Sequence, residues 1–166
     1  MRRLVYLISP NKIYKNFYVD LRNILSSKKV KFFQLRLKKS PINLITRIAK
    51  KIKPIAKRYD VKLIINDNPK IAQKINADGC HIGQLDASVI NARKYLKNKI
   101  IGVTCHNSKK FARIAANTGI EYIALGSFYK SKLKPNAKKA DLKVLKWVKK
   151  NIKKPIVVIG GITDKN

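Results

Sequence analysis

Acidic residues are scarce in this chain: 8 Asp and Glu stand against 39 Lys and Arg among 166 residues, a formal net charge of +31 at pH 7. Cysteine is rarer still. Cys80 and Cys105 lack CxxC spacing and a companion Cys/His cluster, which excludes a structural zinc site and a disulfide framework and leaves two small buried hydrophobes. Long apolar runs are missing too. No stretch approaches the roughly 18 uninterrupted apolar residues of a membrane span. The apolar run at 4–8, behind Met1-Arg2-Arg3, stops at Ser9-Pro10-Asn11-Lys12, too short for the core of a secretory signal. The expected location is cytoplasmic, with no membrane partner. No GxGxxG turn follows the first β-like run, which argues against a dinucleotide-binding sheet.

The excess of positive charge has no pattern that would read a nucleic acid. Lysines occur on almost every helical stretch (Lys50, Lys51, Lys53, Lys57; Lys94, Lys97, Lys99; Lys143, Lys146, Lys149, Lys150) rather than in one stripe with interleaved aromatics. A solvated, lysine-rich surface is the expectation, with weak salt-sensitive polyanion binding as a side effect and no specific nucleic-acid partner.

What is present is a repeating order. With 45% hydrophobic residues the chain can bury one core, so residues 1–166 are read as a single domain. β-like runs recur at 4–9, 31–37, 62–67, 79–83, 100–105, 122–127 and 155–161, most of them continuously apolar as in parallel strands covered on both faces. Helical spacing lies between them: Ile42, Ile45, Ile48, Ala49, Ile52; then Val89, Ala92, Leu96; then Leu142, Leu145, Val148. Ser40-Pro41, Asn68-Pro69 and Asn107-Ser108 supply helix-start chemistry. Repeated βα units predict an α/β fold of the TIM-type (β/α)8 barrel class. Such a barrel takes eight strands and at least about 200 residues. The chain ends just after the seventh β-like run, so the barrel is read as truncated, its last α-β-α unit missing and its open edges suited to cover by a homo-oligomer.

In this architecture chemistry collects at the C-terminal strand ends. Asn66-Asp67 and Asp86 each follow a short β-like segment, and Asp67 and Asp86 are two of only eight acids. Two hard carboxylates there suit Mg²⁺ carrying a phosphorylated substrate, since Mg²⁺ takes one or two protein carboxylates and fills its shell with water and phosphate. The second run ends in Gln34-Leu35-Arg36-Leu37-Lys38, whose alternation sends Gln34, Arg36 and Lys38 to one side. Arg36 offers a planar fork and Lys38 a point charge, a pairing suited to a diphosphate. The fifth run brings Thr104-Cys105-His106, and the seventh ends in Gly160-Gly161, where backbone N–H groups can approach a phosphate or simply turn the chain.

Taken in order, Gln34-x-Arg36-x-Lys38, Asn66-Asp67, His81-Ile82-Gly83-Gln84-x-Asp86, Gly102-Val103-Thr104-x-His106 and Ile159-Gly160-Gly161-Ile162 resemble the thiamine phosphate synthases, in the superfamily shared with the thiazole tautomerases. The resemblance covers essentially the whole chain. It implies a transferase that couples a hydroxymethylpyrimidine diphosphate to a thiazole phosphate with Mg²⁺, releasing pyrophosphate. It further implies that Gln34, Arg36, Lys38, Asn66, Thr104 and Lys134 hold the pyrimidine diphosphate, that Arg36, Lys38 and Lys134 neutralise the leaving group, that Asp67 and Asp86 hold Mg²⁺, and that Ser131 and Gly161 meet the thiazole phosphate. Where the family has Pro-Thr-x-Thr-Lys, this chain has Lys130-Ser131-Lys132-Leu133-Lys134, so Ser131 keeps a hydroxyl and Leu133 does not. Two alternatives stand beside this: a tautomerase-like enzyme with His106 as proton shuttle, and a non-catalytic remnant or interaction protein.

Overall fold

Each β-like run becomes a strand in the computed structural model, which describes residues 4–83, 88–130 and 138–163. The order is β1 (Val5–Ile8), α1 (Phe17–Ser26), β2 (Val30–Leu35), α2 (Ile42–Arg58), β3 (Lys62–Asn66), α3 (Pro69–Lys74), β4 (Gly79–Ile82), α4 (Val89–Leu96), β5 (Ile100–His106), α5 (Lys109–Ala116), β6 (Tyr122–Leu125), α6 (Leu142–Asn151) and β7 (Ile156–Val158). The chain forms two compact units, residues 1–81 with 92–100, and residues 82–91 with 101–166.

In the first unit β1, β2, β3 and β4 pair in parallel and in chain order, with Ile8 beside Gln34, Gln34 beside Ile64 and Asn66 beside His81. Leu63, Ile64 and Ile65 of β3 are fully buried, so both faces of that strand are covered, as its unbroken apolar run requires. One face of β2 carries Phe33, whose ring lies 6.3 Å from that of Phe17 on α1. The opposite face carries Phe32, stacked on Tyr6 at 5.5 Å, and Gln34. Helix α2 buries Ile48, Ala49, Ile52 and Ala56, while Pro54 within it sits on the exposed side. Loss of the Pro54 N–H costs least there, since water can reach the carbonyl it would have bonded.

In the second unit β5, β6 and β7 pair in parallel, and all four residues of β6 are buried. A register shift between Thr104 and His106 bulges β5. Gly102 lies under Tyr122, and a methyl group on it would sit 1.8 Å from the Tyr122 ring. On the outside, Trp147 of α6 lies under two cations of α5, Lys109 at 5.7 Å and Arg113 at 5.2 Å from its ring centre.

Local chemistry explains most boundaries. Asn68 Oδ1 accepts from the Ile71 N–H at 2.9 Å with Pro69 just inside α3, and Ser108 Oγ accepts from the Phe111 N–H at 3.2 Å. Ser40 does not cap α2. The N-cap is Pro41, at φ −57 and ψ 144, which has no side-chain acceptor to offer. Helix α1 is absent from the predicted elements, although Phe17, Leu21 and Leu25 form its buried stripe. Its opening Phe17-Tyr18-Val19 is β-like in composition, and the periodicity emerges only over the full length. Strand β2 ends at Leu35, two residues before the predicted limit, which bears on the site below.

Candidate active site

Two of the acids serve the N-terminal strand ends. Asp78 Oδ2 accepts from the Leu63 N–H at 2.9 Å at the start of β3, and Glu121 Oε2 accepts from the Ile101 N–H at 2.5 Å at the start of β5. Asp20 accepts from the Tyr14 hydroxyl at 2.7 Å, Asp60 from the Lys31 ammonium at 2.9 Å, and Asp141 caps α6 through the Lys143 N–H at 2.8 Å. Asp67 remains. Among the described residues it is the acid at a strand's C-terminal end, directly after β3. Asp86, the second proposed metal ligand, lies outside the described residues, as do Gln84, Ser131, Leu133 and Lys134.

Asp67 has φ +61, a left-handed conformation that Asp tolerates better than most residues, and its N–H donates to the His81 carbonyl at 2.8 Å. Its carboxylate is 24% exposed and pairs with the Lys38 ammonium at 3.2 Å. The ends of β2 and β3 thus meet through opposite charges. An uncommon backbone conformation holding a part-buried carboxylate at a strand tip is the kind of local strain that collects at functional sites.

Gln34, Arg36 and Lys38 take three different partners. Gln34 is 3% exposed and donates from Nε2 to the Tyr6 hydroxyl at 3.0 Å, on the face of β2 opposite Phe33. Arg36 is bound twice to the segment after β1: its N–H donates to Ser9 Oγ at 2.9 Å, and its guanidinium donates to Asn11 Oδ1 at 2.9 Å. Lys38 reaches across to Asp67. Period-two alternation governs side chains only while the strand lasts. Because β2 stops at Leu35 and Lys39 follows at φ +64, Arg36 and Lys38 are aimed by their partners instead. Asn66, half-buried, is the last residue of β3 and pairs with His81 of β4, one position beyond the Leu35–Ile65 pair that ends the β2–β3 ladder. Tyr6, Ser9 and Asn11 are not among the predicted site residues. Their cue was the polar Ser9-Pro10-Asn11 directly behind the first β-like run, which the strand-end rule already covers.

In the second unit Thr104 is half-buried, and His106 is exposed with φ +49, just past the β5 bulge. The His106 carbonyl accepts from the Gly126 N–H at 3.3 Å. Gly160 and Gly161 lie against the segment after β6, with the Tyr129 N–H donating to the Gly160 carbonyl at 2.9 Å. A methyl group on Gly160 would stand 2.0 Å from Ser127 Oγ, and one on Gly161 would stand 2.3 Å from the Lys130 carbonyl, at φ +99 and φ +64 respectively. The glycine pair is thus demanded by chain packing at this strand end.

Both cysteines are buried, and burial pushes the Cys105 thiol up to about 12, so it offers no thiolate nucleophile. A groove of about 400 Å³ along α2 is lined by Asn43, Thr46, Arg47, Lys50 and Lys51 and includes none of the strand-end residues. No helix among the described residues is long and apolar enough to cross a membrane.

A parallel βα repeat with polar residues gathered where its strands end defines a TIM-type enzyme. The family model described as thiamine monophosphate synthase matches residues 5–166. A thiamine-phosphate synthase of Pelagibacter ubique is 56% identical over 166 residues, spanning 99% of this chain and 80% of that protein. One from Rhodospirillum centenum is 36% identical over 161 residues, spanning 96% of this chain and 78% of its own. The solved thiamine phosphate pyrophosphorylase from Pyrococcus furiosus superposes with a TM-score of 0.87 at 26% identity, covering 98% of this chain and 77% of the other. The chain belongs to the thiamine monophosphate synthase family and carries its TIM-type fold.

Proposed function

We propose that the C-terminal ends of β2 and β3 bind the diphosphate of the first substrate, and that Asp67, with Asp86, carries Mg²⁺ there. The protein is a transferase of thiamine biosynthesis that couples a 4-amino-2-methyl-5-hydroxymethylpyrimidine diphosphate to a thiazole phosphate, giving thiamine phosphate and pyrophosphate. The observation that supports the assignment of residues is the Lys38–Asp67 pair at 3.2 Å, a cation suited to a diphosphate beside a carboxylate suited to Mg²⁺.

The donor set suits this ion. Among the described residues no group of three or more His, Cys, Asp or Glu stands together as a closed metal site would need. Mg²⁺ asks for less, one or two carboxylates with the rest of its shell from water and phosphate, and Asp67 offers a hard oxygen at a strand tip, its N–H bonded to the His81 carbonyl. When bound, the ion neutralises charge that develops on the departing pyrophosphate.

The reaction breaks a C–O bond at a benzylic-type carbon and forms a C–N bond to the thiazole nitrogen. The aminopyrimidine ring stabilises the positive charge left on carbon, so the protein must chiefly neutralise the leaving group and align the nitrogen. Arg36 and Lys38, joined by Lys134, supply cations to the diphosphate, while Gln34 and Asn66 add neutral hydrogen bonds that fix its substrate. Thr104 contributes a hydroxyl to the same substrate, and Ser131 and Gly161 meet the thiazole phosphate. Both substrates are charged phosphate esters that do not cross membranes unaided, which supports a cytoplasmic location. Incubation with both substrates and Mg²⁺, followed by mass spectrometry, is expected to yield thiamine phosphate; product formed undiminished in excess chelator would rule out the metal assignment.

A further inference from the structure

The segment after β1 is tied to Arg36 twice, and the substrate assignments above do not use it. Ser9 is 3% exposed. Its N–H donates to the Gln34 carbonyl at 2.9 Å, making the last main-chain rung between β1 and β2. Its hydroxyl then donates to the Pro10 carbonyl at 3.0 Å and accepts from the Arg36 N–H at 2.9 Å. Arg36 is the first residue beyond β2, so its N–H has lost the regular strand partner, and the Ser9 hydroxyl supplies a replacement. Two residues further on, Asn11 Oδ1 accepts from the guanidinium at 2.9 Å. Pro10 between them narrows the conformations open to the segment.

We propose that Ser9 and Asn11 are positioning residues for the coupling reaction: Ser9 fixes the Arg36 main chain and Asn11 orients its guanidinium, so that the fork is set before a diphosphate arrives. The choice of an amide matters. An Asp at position 11 would orient the guanidinium equally well but would cancel its charge and compete with the incoming phosphate, whereas Asn accepts one N–H and leaves the charge intact. An unrestrained arginine has several rotatable bonds to freeze on binding, and holding one N–H in advance reduces that cost. Lys38 is held by the opposite means, a carboxylate, and so must exchange partners when ligand binds. The pre-set cation is therefore Arg36.

The proposal rests on Arg36 being a diphosphate ligand, and the test separates the two ideas. The probe is magnesium pyrophosphate titrated calorimetrically into the full chain, with steady-state kinetics beside it. Asn11→Ala is expected to weaken pyrophosphate binding and raise KM for the pyrimidine diphosphate about five- to tenfold. KM for thiazole phosphate and the melting temperature are expected to stay as in the unmodified chain, since Asn11 is exposed. In an Arg36→Ala background, Asn11→Ala is expected to add nothing, because a residue acting only through Arg36 has no further effect once Arg36 is gone. Ser9→Thr keeps the hydroxyl and is expected to bind as the unmodified chain, with Ser9→Ala weaker. If Arg36→Ala weakens binding but Asn11→Ala does not, or if the two losses add in full, the positioning role is overturned and the diphosphate assignment stands. If Arg36→Ala leaves pyrophosphate affinity unchanged, the diphosphate assignment fails and the positioning role falls with it.

Discussion

At their N-terminal ends the strands use carboxylates to satisfy main chain: Asp78 takes the Leu63 N–H and Glu121 the Ile101 N–H. At their C-terminal ends polar side chains engage one another or a neighbouring loop: Gln34 meets Tyr6, Arg36 meets Asn11, and Lys38 meets Asp67. The first arrangement completes hydrogen bonds that the fold requires. The second joins side chains of neighbouring strand ends and loops to one another, among them the charged pair Lys38–Asp67. The difference separates residues that complete the strands' main chain from those proposed above to act on a substrate, although both sets are polar.

The sharpest way to break that distinction is to neutralise an acid at each end. Asp67→Asn is expected to lower coupling activity by roughly a thousandfold, in the range seen when a group that stabilises transition-state charge is lost. Its melting temperature should stay within about 2 °C, because Asn also tolerates the left-handed backbone at this position. Asp78→Ala should behave in the opposite way. It strands the Leu63 N–H and should cost about 1–2 kcal/mol of stability, with turnover per folded molecule retained. Urea titration and coupling assays on both variants check the pair; a large loss of turnover in Asp78→Ala at full folding would erase the contrast.

Gly102 tests the same division through packing. A methyl group there would sit 1.8 Å from the Tyr122 ring, so Gly102→Ala is expected to cost about 1–3 kcal/mol, read from the urea midpoint. Tyr122→Leu, which removes the ring, should recover part of the loss when combined with it. Lys38 offers a finer test at the other strand end. Because its ammonium already sits on Asp67, Lys38→Met is expected to tighten Mg²⁺ binding to the substrate-free chain severalfold while weakening magnesium pyrophosphate. Calorimetric titration with Mg²⁺ alone would read this, and unchanged Mg²⁺ affinity would show that the two cations do not compete.

Much of this was legible without coordinates. Among the described residues each strand falls on a β-like run, most clearly β3, β4 and β6, whose apolar residues are buried on both faces, and Asn66-Asp67 and Gln34-x-Arg36-x-Lys38 fall where the strand-end rule puts them. The partners of Arg36 and Lys38 were not legible. Alternation predicts a shared side, but β2 stops pairing at Leu35, and Arg36 then takes its partners from Ser9 and Asn11, in a segment some 25 residues away. The glycine pair was legible as a strand-end turn, whereas its packing against Ser127 and Lys130 required the fold. The capping role given to Ser40 failed because the following proline took the N-cap position itself.

The smallest expected effect lies at the turn before β3, where Asp60 meets Lys31 at 2.9 Å in the open. The Lys31 hydrogen bond, reinforced by its charge, holds the Asp60 carboxyl below the usual carboxylate range. A carboxyl whose folded value is depressed contributes stability that is fully present above its unfolded value and is lost as pH falls through the folded one. Lys31→Met should therefore lower the melting temperature slightly at pH 7, and the gap to the unmodified chain should close as pH drops below the ordinary carboxylate range. Molar salt at pH 7 should shrink the gap as well, because an exposed pair is screened. Turnover should not change under either treatment, since this pair serves the turn into a strand and touches nothing at the strand's other end. A shift in coupling activity that followed the Lys31–Asp60 pair would mean that the two ends are energetically linked, and that the division drawn between them is too sharp.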